Sequence, residues 1–440
     1  MKDNLLSFNF WAKIFLVGLV VHFFAQNFFT YSLGLDLGVF WLWKEFIILG
    51  FIGSLVYFVF KNNYLGKFVE DRMMFSLEVV FVSLVVVTFL INYFLIGTSI
   101  GEYVMAFRYD FLGFLIFFVV YRLCGFLNKE KLYPIILFYG LVVKVVLIFS
   151  LFWYFVILTV PGGLGLFGYD NNIFEGEVGQ APPAAYYTQY NQGLVRNQSL
   201  FERPISYGFF LVAFFPLFYV LYLRKKSFFK TWFWWIVYGL NIMSTFSRAA
   251  WGAWLIQLII LSLIDYRKNI KKFLKYILLP VVLFFGAIVY FAYDHVVDRQ
   301  RSNTGHIQEV LIGWDMFTDK PIFGQGAGYV GPASHWGDGQ EFNTENQFLQ
   351  IMVEFGIVGF LPWFLIYMFF VLVGFYYFFK TKEKDRKNDK YLFVLLAFSV
   401  GILGLSVQGM VLHSFVDNMI VYPFMFLFAL ALFLYLKRSD

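Results

Sequence analysis

The chain has 440 residues, 60% of them hydrophobic and only 14% charged, with a formal net charge of +6. Soluble chains carry about 25% charged residues, so a cytosolic enzyme, a disordered chain and a secreted disulfide scaffold are excluded. Apolar runs of about 20 residues also exclude a membrane β-barrel, whose strands alternate over about 9–11 residues. Cys124 is the only cysteine, which rules out a cysteine-based metal site.

At about 20 residues per span the chain has room for about twelve helices. Reading from the N-terminus, these fall at Phe8–Phe28, Val39–Phe60, Met73–Ile96, Tyr103–Tyr121, Tyr133–Val160 and Pro204–Leu223. The rest fall at Thr231–Phe246, Ala249–Ile264, Tyr276–Tyr293, Gly356–Phe379, Tyr391–Leu412 and Met419–Leu436. The first lacks a small-residue cleavage site and reads as a retained span. The fold class is therefore all-α and polytopic, with residues 1–440 as a single integral membrane domain.

Basic residues cluster at Lys61–Arg72, Arg122–Lys131, Arg224–Lys230, Arg267–Lys275, Lys380–Lys390 and Lys437–Arg438, on every second connection. Positive charge marks the cytoplasmic side, so both termini are expected in the cytoplasm. The remaining cations break the pattern: Lys44, Arg108, Lys144, Arg196, Arg203, Arg248, Arg299, Arg301 and Lys320. Each falls inside a span or on the outer side, where an ionisable group is a functional hypothesis.

Two connections are long, and both are expected outside. Residues 161–203 are rich in Gly, Asn, Gln and Tyr. Residues 294–345 hold Arg299, Arg301, His306, Trp314, a Gly324–Gly328 run, His335 and Trp336. Long loops usually carry function. Rings that stack on a sugar face and amides that bond its hydroxyls suit a glycan, although loops of this kind can also simply cap a bundle. The Gly324–Gly328 run is not a dinucleotide fingerprint, which needs a strand before it and a helix after it. It reads instead as a tight turn.

Ser247-Arg248 sits at a tight junction between two spans. A guanidinium beside a helix N-terminus is a good anion site, and the alternative is an arginine reaching for lipid headgroups. Arg299, Arg301 and His306 lie close in sequence; they suit either one polyanion or headgroups. Glu345 precedes an apolar segment. It reads either as a general base or as an acid favoured by the helix dipole. The histidines have no ligand-like spacing with one another, so no metal and no cofactor is expected.

Three stretches resemble the bacterial O-antigen ligases and the related Wzy-type O-antigen or capsule polymerases. They are Phe246-Ser247-Arg248, the run from Trp314 through Asp319-Lys320-Pro321-Ile322-Phe323-Gly324-Gln325-Gly326, and Glu345-Asn346-Gln347 through Glu354-Phe355-Gly356-Ile357-Val358-Gly359. Arg196–Pro204 is a weaker echo. Many members carry His where this chain has Glu345.

The resemblance implies a GT-C-like membrane glycosyltransferase in the bacterial cytoplasmic membrane, with its active site on the outer face. It implies inverting, metal-independent transfer of a glycan from an undecaprenyl-diphosphate-linked oligosaccharide to a hydroxyl on another lipid-linked repeat unit. Glu345 would be the base, Arg196, Arg248, Arg299 and Arg301 would hold the diphosphate, and His306, Asn346 and Glu354 would be accessory. The Glu-Asn form favours a polymerase over a ligase acting on a lipid A core. Partners would be the bilayer and polysaccharide export proteins, and no nucleic acid. A flippase of lipid-linked oligosaccharide is the competing class. It is disfavoured because no internal repeat is visible and the polar residues gather at one face.

Overall fold

The computed structural model describes residues 2–35, 42–159, 188–189, 194–224, 228–267, 300–336, 342–386 and 389–438, with a few single residues between them. The helices in chain order are α1 (Lys2–Asn27), α2 (Trp43–Lys61), α3 (Leu65–Glu70), α4 (Arg72–Leu90), α5 (Ile100–Asp110), α6 (Leu112–Cys124), α7 (Tyr133–Thr159) and α8 (Pro204–Phe218). They continue with α9 (Phe228–Ser244), α10 (Arg248–Tyr266), α11 (Gln300–Asp319), α12 (Gln347–Lys380), α13 (Glu383–Arg386), α14 (Lys390–Gly409) and α15 (Asn418–Leu436). One short antiparallel pair, β1 (Thr188–Gln189) with β2 (Leu194–Val195), precedes α8.

The protein is an all-α polytopic membrane protein. Among the described residues nine helices are long and apolar enough to cross a membrane, or ten if the bent pair α5–α6 is one span. Helix α9, at 17 residues, is shorter than these. The span expected at Tyr276–Tyr293 lies outside the described residues.

Two compact units emerge. The first comprises Met1–Ile48 and Asn128–Asp298, the second Leu49–Leu127 and Arg299–Asp440. In the first unit α8 is the buried helix. It starts with Pro204 in its first turn, where a missing N–H costs nothing. Its Val212 carbonyl accepts from Gln257 of α10, and Tyr207 donates to Asn241 of α9 at 2.7 Å. These two bonds give buried polar groups partners on neighbouring helices, as an apolar setting favours. At the other end of the unit Asp265 accepts from Tyr219 and pairs with Arg224 at 2.8 Å.

In the second unit α14 and α15 are the most buried spans. Small residues let the helices approach. A Cβ on Gly113 of α6 would come within 2.7 Å of Val421 on α15, and one on Gly374 of α12 would come within 2.6 Å of Ser399 on α14. The Ser399 hydroxyl accepts from the Gly374 N–H and donates to the Phe370 carbonyl, tying α12 to α14. Arg122 makes a two-pronged pair with Glu78, both contacts 2.6 Å.

Two spans read as straight in the sequence are broken. The run Tyr103–Tyr121 bends by 63° between α5 and α6. Helix α12 begins nine residues before the expected Gly356 start and breaks at that glycine, whose φ is 59° and ψ −168°. The break exposes backbone groups that must be satisfied elsewhere, and the 320–326 turn supplies the partners. Gln325 N–H donates to the Val353 carbonyl at 2.7 Å and Gly326 N–H to the Glu354 carbonyl at 3.1 Å. In return, Ile357 N–H donates to Pro321 at 2.9 Å and Val358 N–H to Ile322 at 3.2 Å. Only glycines fit where the two backbones cross. A Cβ on Gly324 would lie 2.4 Å from the Glu354 carbonyl oxygen, and one on Gly356 would lie 2.3 Å from that of Ile322. The Gly-rich run is thus a tight turn, as its composition suggested, and its task is to splice the broken helix.

Candidate functional site

The loop leading into α12 carries Glu345. Asn346 is the N-cap of that helix, its side chain accepting from Phe348 N and Leu349 N at 3.0 Å each. Asn346, not Glu345, is therefore the capping residue of α12. Glu345 itself holds a φ of 49°, a left-handed conformation that costs a non-glycine residue energy and tends to persist at functional positions.

Contacts on both sides impose that conformation. The Thr344 hydroxyl donates to the Asn346 carbonyl at 3.0 Å and lies 3.0 Å from His413 Nε2. The Asn346 amide donates to the Met410 carbonyl, and Gln347 accepts from Phe415 N. His413 lies between α14 and α15, and burial pushes its pKa down to about 4, against the opposing pull of Glu345. It is a neutral structural imidazole at ordinary pH.

Helix α11 faces this loop. A Cβ on its Gly313 would lie 2.9 Å from Leu349 and 3.0 Å from Thr344, so the helix packs close. Phe317 of α11 joins Leu349, Val353 and Val330 in one apolar cluster. This docking brings His306, two turns earlier on α11, to Glu345: Nδ1 lies 3.3 Å from Oε2. Glu309, one turn on from His306, completes the group. One imidazole nitrogen and two carboxylates come within 4.8 Å of one another. Burial first, then the Glu345 charge, raises the Glu309 pKa, and His306 opposes that rise. The sequence spacing gave no reason to join these three residues. The i,i+3 pair His306 and Glu309 on one helix face was the available signal.

Glu354, expected to be accessory with His306 and Asn346, goes elsewhere. It is fully buried, in the same unit as Asp110 at the α5–α6 bend, and interacts with it. Asp110 accepts from Gln350 at 3.2 Å. The sequence reading missed Asp110, and a carboxylate between apolar runs was the clue.

In the first unit Arg196 and Arg248 flank one junction. Arg196 Nε donates 2.7 Å to the Thr245 carbonyl. Asn197 beside it bonds Ser150 and Ser244, sewing the strand onto α9. Phe246 turns the chain with a φ of 47°. Ser247 then caps α10, accepting from Ala250 N, and Arg248 is the first helical residue, half-buried. This is the geometry expected of the Ser-Arg pair.

Arg299 lies outside the described residues. Arg301 is placed on the first turn of α11. Three of the other unexplained cations have local roles. Lys144 sits over the Tyr222 and Trp234 rings at 3.5 and 4.7 Å, Lys44 is buried beside Glu45, and Arg203 pairs with Glu202 on the surface.

Residues 233–364 match the family model described as O-antigen ligase. This stretch is similar to the O-antigen ligase family. It contains Arg248, His306, the Gly324 splice, Glu345 and Glu354, and so bears out the resemblance read from the three motifs. The match supports, at the coarse level, a membrane enzyme of O-antigen ligase or polymerase type. No curated protein matches the chain.

Proposed function

We propose that the protein is a polysaccharide polymerase on the outer face of the bacterial cytoplasmic membrane, with both termini inside. The reading is that it transfers a glycan from an undecaprenyl-diphosphate donor to a hydroxyl of a second lipid-linked repeat unit. The hydroxyl oxygen attacks the anomeric carbon from the side opposite the diphosphate. The old carbon–oxygen bond breaks, its electron pair leaves with the diphosphate, and the hydroxyl proton passes to the Glu345 centre. Inversion follows from the single displacement. Arg248, with Arg196, Arg299 and Arg301, is assigned the diphosphate, because fixed cations stabilise charge that develops in the transition state.

The observation that carries this reading is the strained Glu345 carboxylate, set against His306 within the family-matched stretch.

The test is purified protein with lipid-linked repeat units, read as product length on a gel. A ladder formed without any lipid A core supports a polymerase. Transfer that requires the core acceptor would make it a ligase. Movement of intact donor across vesicles with no new glycosidic bond would make it a transporter. Glu345→Gln keeps the shape of the side chain but is a poor proton acceptor, and it should lower turnover by about 10²–10⁴-fold.

A further inference from the structure

Helix α11 is 20 residues long, yet it is not apolar enough to stand among the spans. Its buried side, with Gly313 and Phe317, packs against α12 and the loop before it. The rest of its surface is divided along its length. Ile307, Leu311 and Trp314 recur at i, i+4 and i+7, so they share one face, and they are 62%, 58% and 50% exposed. Gln308, Asp315 and Asp319 recur at i, i+7 and i+11 and form a second exposed face, which is polar. Ile312 is the exception, an exposed apolar residue on the polar side. The Trp314 ring lies 5.4 Å from that of Phe317, which ties the apolar face to the buried side.

The splice fixes the depth of this helix. At one end of α12, Lys380 bonds the Tyr376 hydroxyl, a basic and aromatic pairing that suits a membrane interface. From Tyr376 back to Ile357 the helix rises about 29 Å at about 1.5 Å per residue, which matches a hydrocarbon layer of about 30 Å. Ile357, Leu361, Leu365 and Leu372 are exposed along that stretch, as lipid-facing residues are. Gly356 therefore marks the opposite boundary of the apolar layer. Ile357 N–H and Val358 N–H donate to Pro321 and Ile322, so the 320–326 turn lies at the same boundary. Ile322 and Phe323 are exposed there. Exposed apolar residues thus run from the span, through the turn, to the end of α11.

The geometry points to α11 as an in-plane helix, docked on the headgroup boundary of the bilayer through Ile307, Leu311 and Trp314. Helices of this kind sink their apolar face about 5–10 Å into the boundary between headgroups and acyl chains, and tryptophan favours that level. The Gln308–Asp315–Asp319 face is left to water. Lipid is the occupant because the surface continues into a lipid-facing span rather than ending in a polar rim, as a protein docking patch does. On the reading proposed above, Glu345 would then stand at headgroup level, where the diphosphate of a lipid-linked donor lies. The docking itself does not depend on that reading.

The test uses full-length protein in lipid nanodiscs. Cys124 is the sole cysteine and is buried, so a single introduced cysteine can be spin-labelled. Labels at Ile307→Cys, Leu311→Cys and Trp314→Cys should collide more with oxygen than with a water-soluble nickel chelate, at a depth of about 5–10 Å. Labels at Gln308→Cys, Asp315→Cys and Asp319→Cys should do the reverse. Brominated acyl chains give a check without labels: they should quench a larger share of the tryptophan fluorescence in wild type than in Trp314→Phe.

Nickel access at all six positions would place the helix in water and overturn the inference. Protection from both probes at 307, 311 and 314 would overturn it in favour of a protein cover, from this chain or another. Equal quenching in wild type and Trp314→Phe would sink it as well. These readouts need no glycosyl transfer, so a failed polymerase assay would count against the enzymatic reading alone.

Discussion

Replacing Gly356 with alanine tests the splice between the 320–326 turn and the broken α12. At φ 59° and ψ −168° the backbone is in a region that is essentially glycine-only, costing about 1–3 kcal/mol for any other residue. The new Cβ would sit 2.3 Å from the Ile322 carbonyl oxygen, so one of the two backbones must move. The bonds next in line are Ile357 N–H to Pro321 and Val358 N–H to Ile322, each worth about 0.5–1.5 kcal/mol net. Strain and the two lost bonds together predict a loss of about 2–6 kcal/mol. The assay is unfolding in mixed micelles at increasing SDS fraction, with Gly252→Ala as the control. Gly252 lies within α10 with nothing inside 4 Å of its missing Cβ, so alanine there should stabilise by about 0.5–1 kcal/mol. If Gly356→Ala unfolds at the wild-type SDS fraction, the splice does not hold the helix together and the reasoning fails.

Arg248→Lys keeps the charge at the start of α10 but loses the two-pronged fork that suits phosphate. Turnover should fall by about 10²–10³-fold at normal membrane levels, and near wild-type polymer from Arg248→Ala would show that this arginine serves only the headgroups. His413, with its pKa near 4 against an ordinary 6.5, is buried neutral. Stability should be full above pH 6.5 and fall as the pH drops towards 4, by about 3 kcal/mol in all. His413→Gln should flatten that acid slope in an SDS titration run at several pH values, and an unchanged slope would clear His413 of the effect. A reporter fused after Lys230 or Lys387 should read cytoplasmic and one near Ser334 external; an external signal at Lys387 would overturn the topology.

Much of the fold was legible because hydrocarbon demands long apolar helices, and such runs need no alignment to be seen. The Ser247 cap and Arg248 were legible for a local reason: a capping side chain and the helix it starts are neighbours in sequence. The same locality made Asn346 readable in principle, yet attention fell on Glu345, whose left-handed backbone is held by the bonds that Thr344 and Asn346 make to residues 413 and 410, which no short window contains. His306 and Glu345 lie on two elements joined by a long loop, and their meeting depends on how closely α11 docks at Gly313. The bend at Asp110 and the break at Gly356 were hidden because hydropathy averages over a window. Nothing in the average changes when a helix kinks and borrows its hydrogen bonds from a turn elsewhere.

The bond between Gln350 and Asp110 joins residues 240 positions apart. At about 5–20 residues per second, the ribosome takes roughly 12–48 seconds to deliver Gln350 after Asp110 has been made. Throughout that interval the bent α5–α6 pair carries an acid, buried in the finished fold, with no Gln350 to receive it, and an unpartnered charge among apolar helices is expensive. The early half of the second unit must therefore wait near the translocon or the lipid surface, and it is completed only when α12 arrives. Chains truncated before residue 350 should be recognised by membrane quality control as unfinished, even though every span they contain is apolar enough to insert.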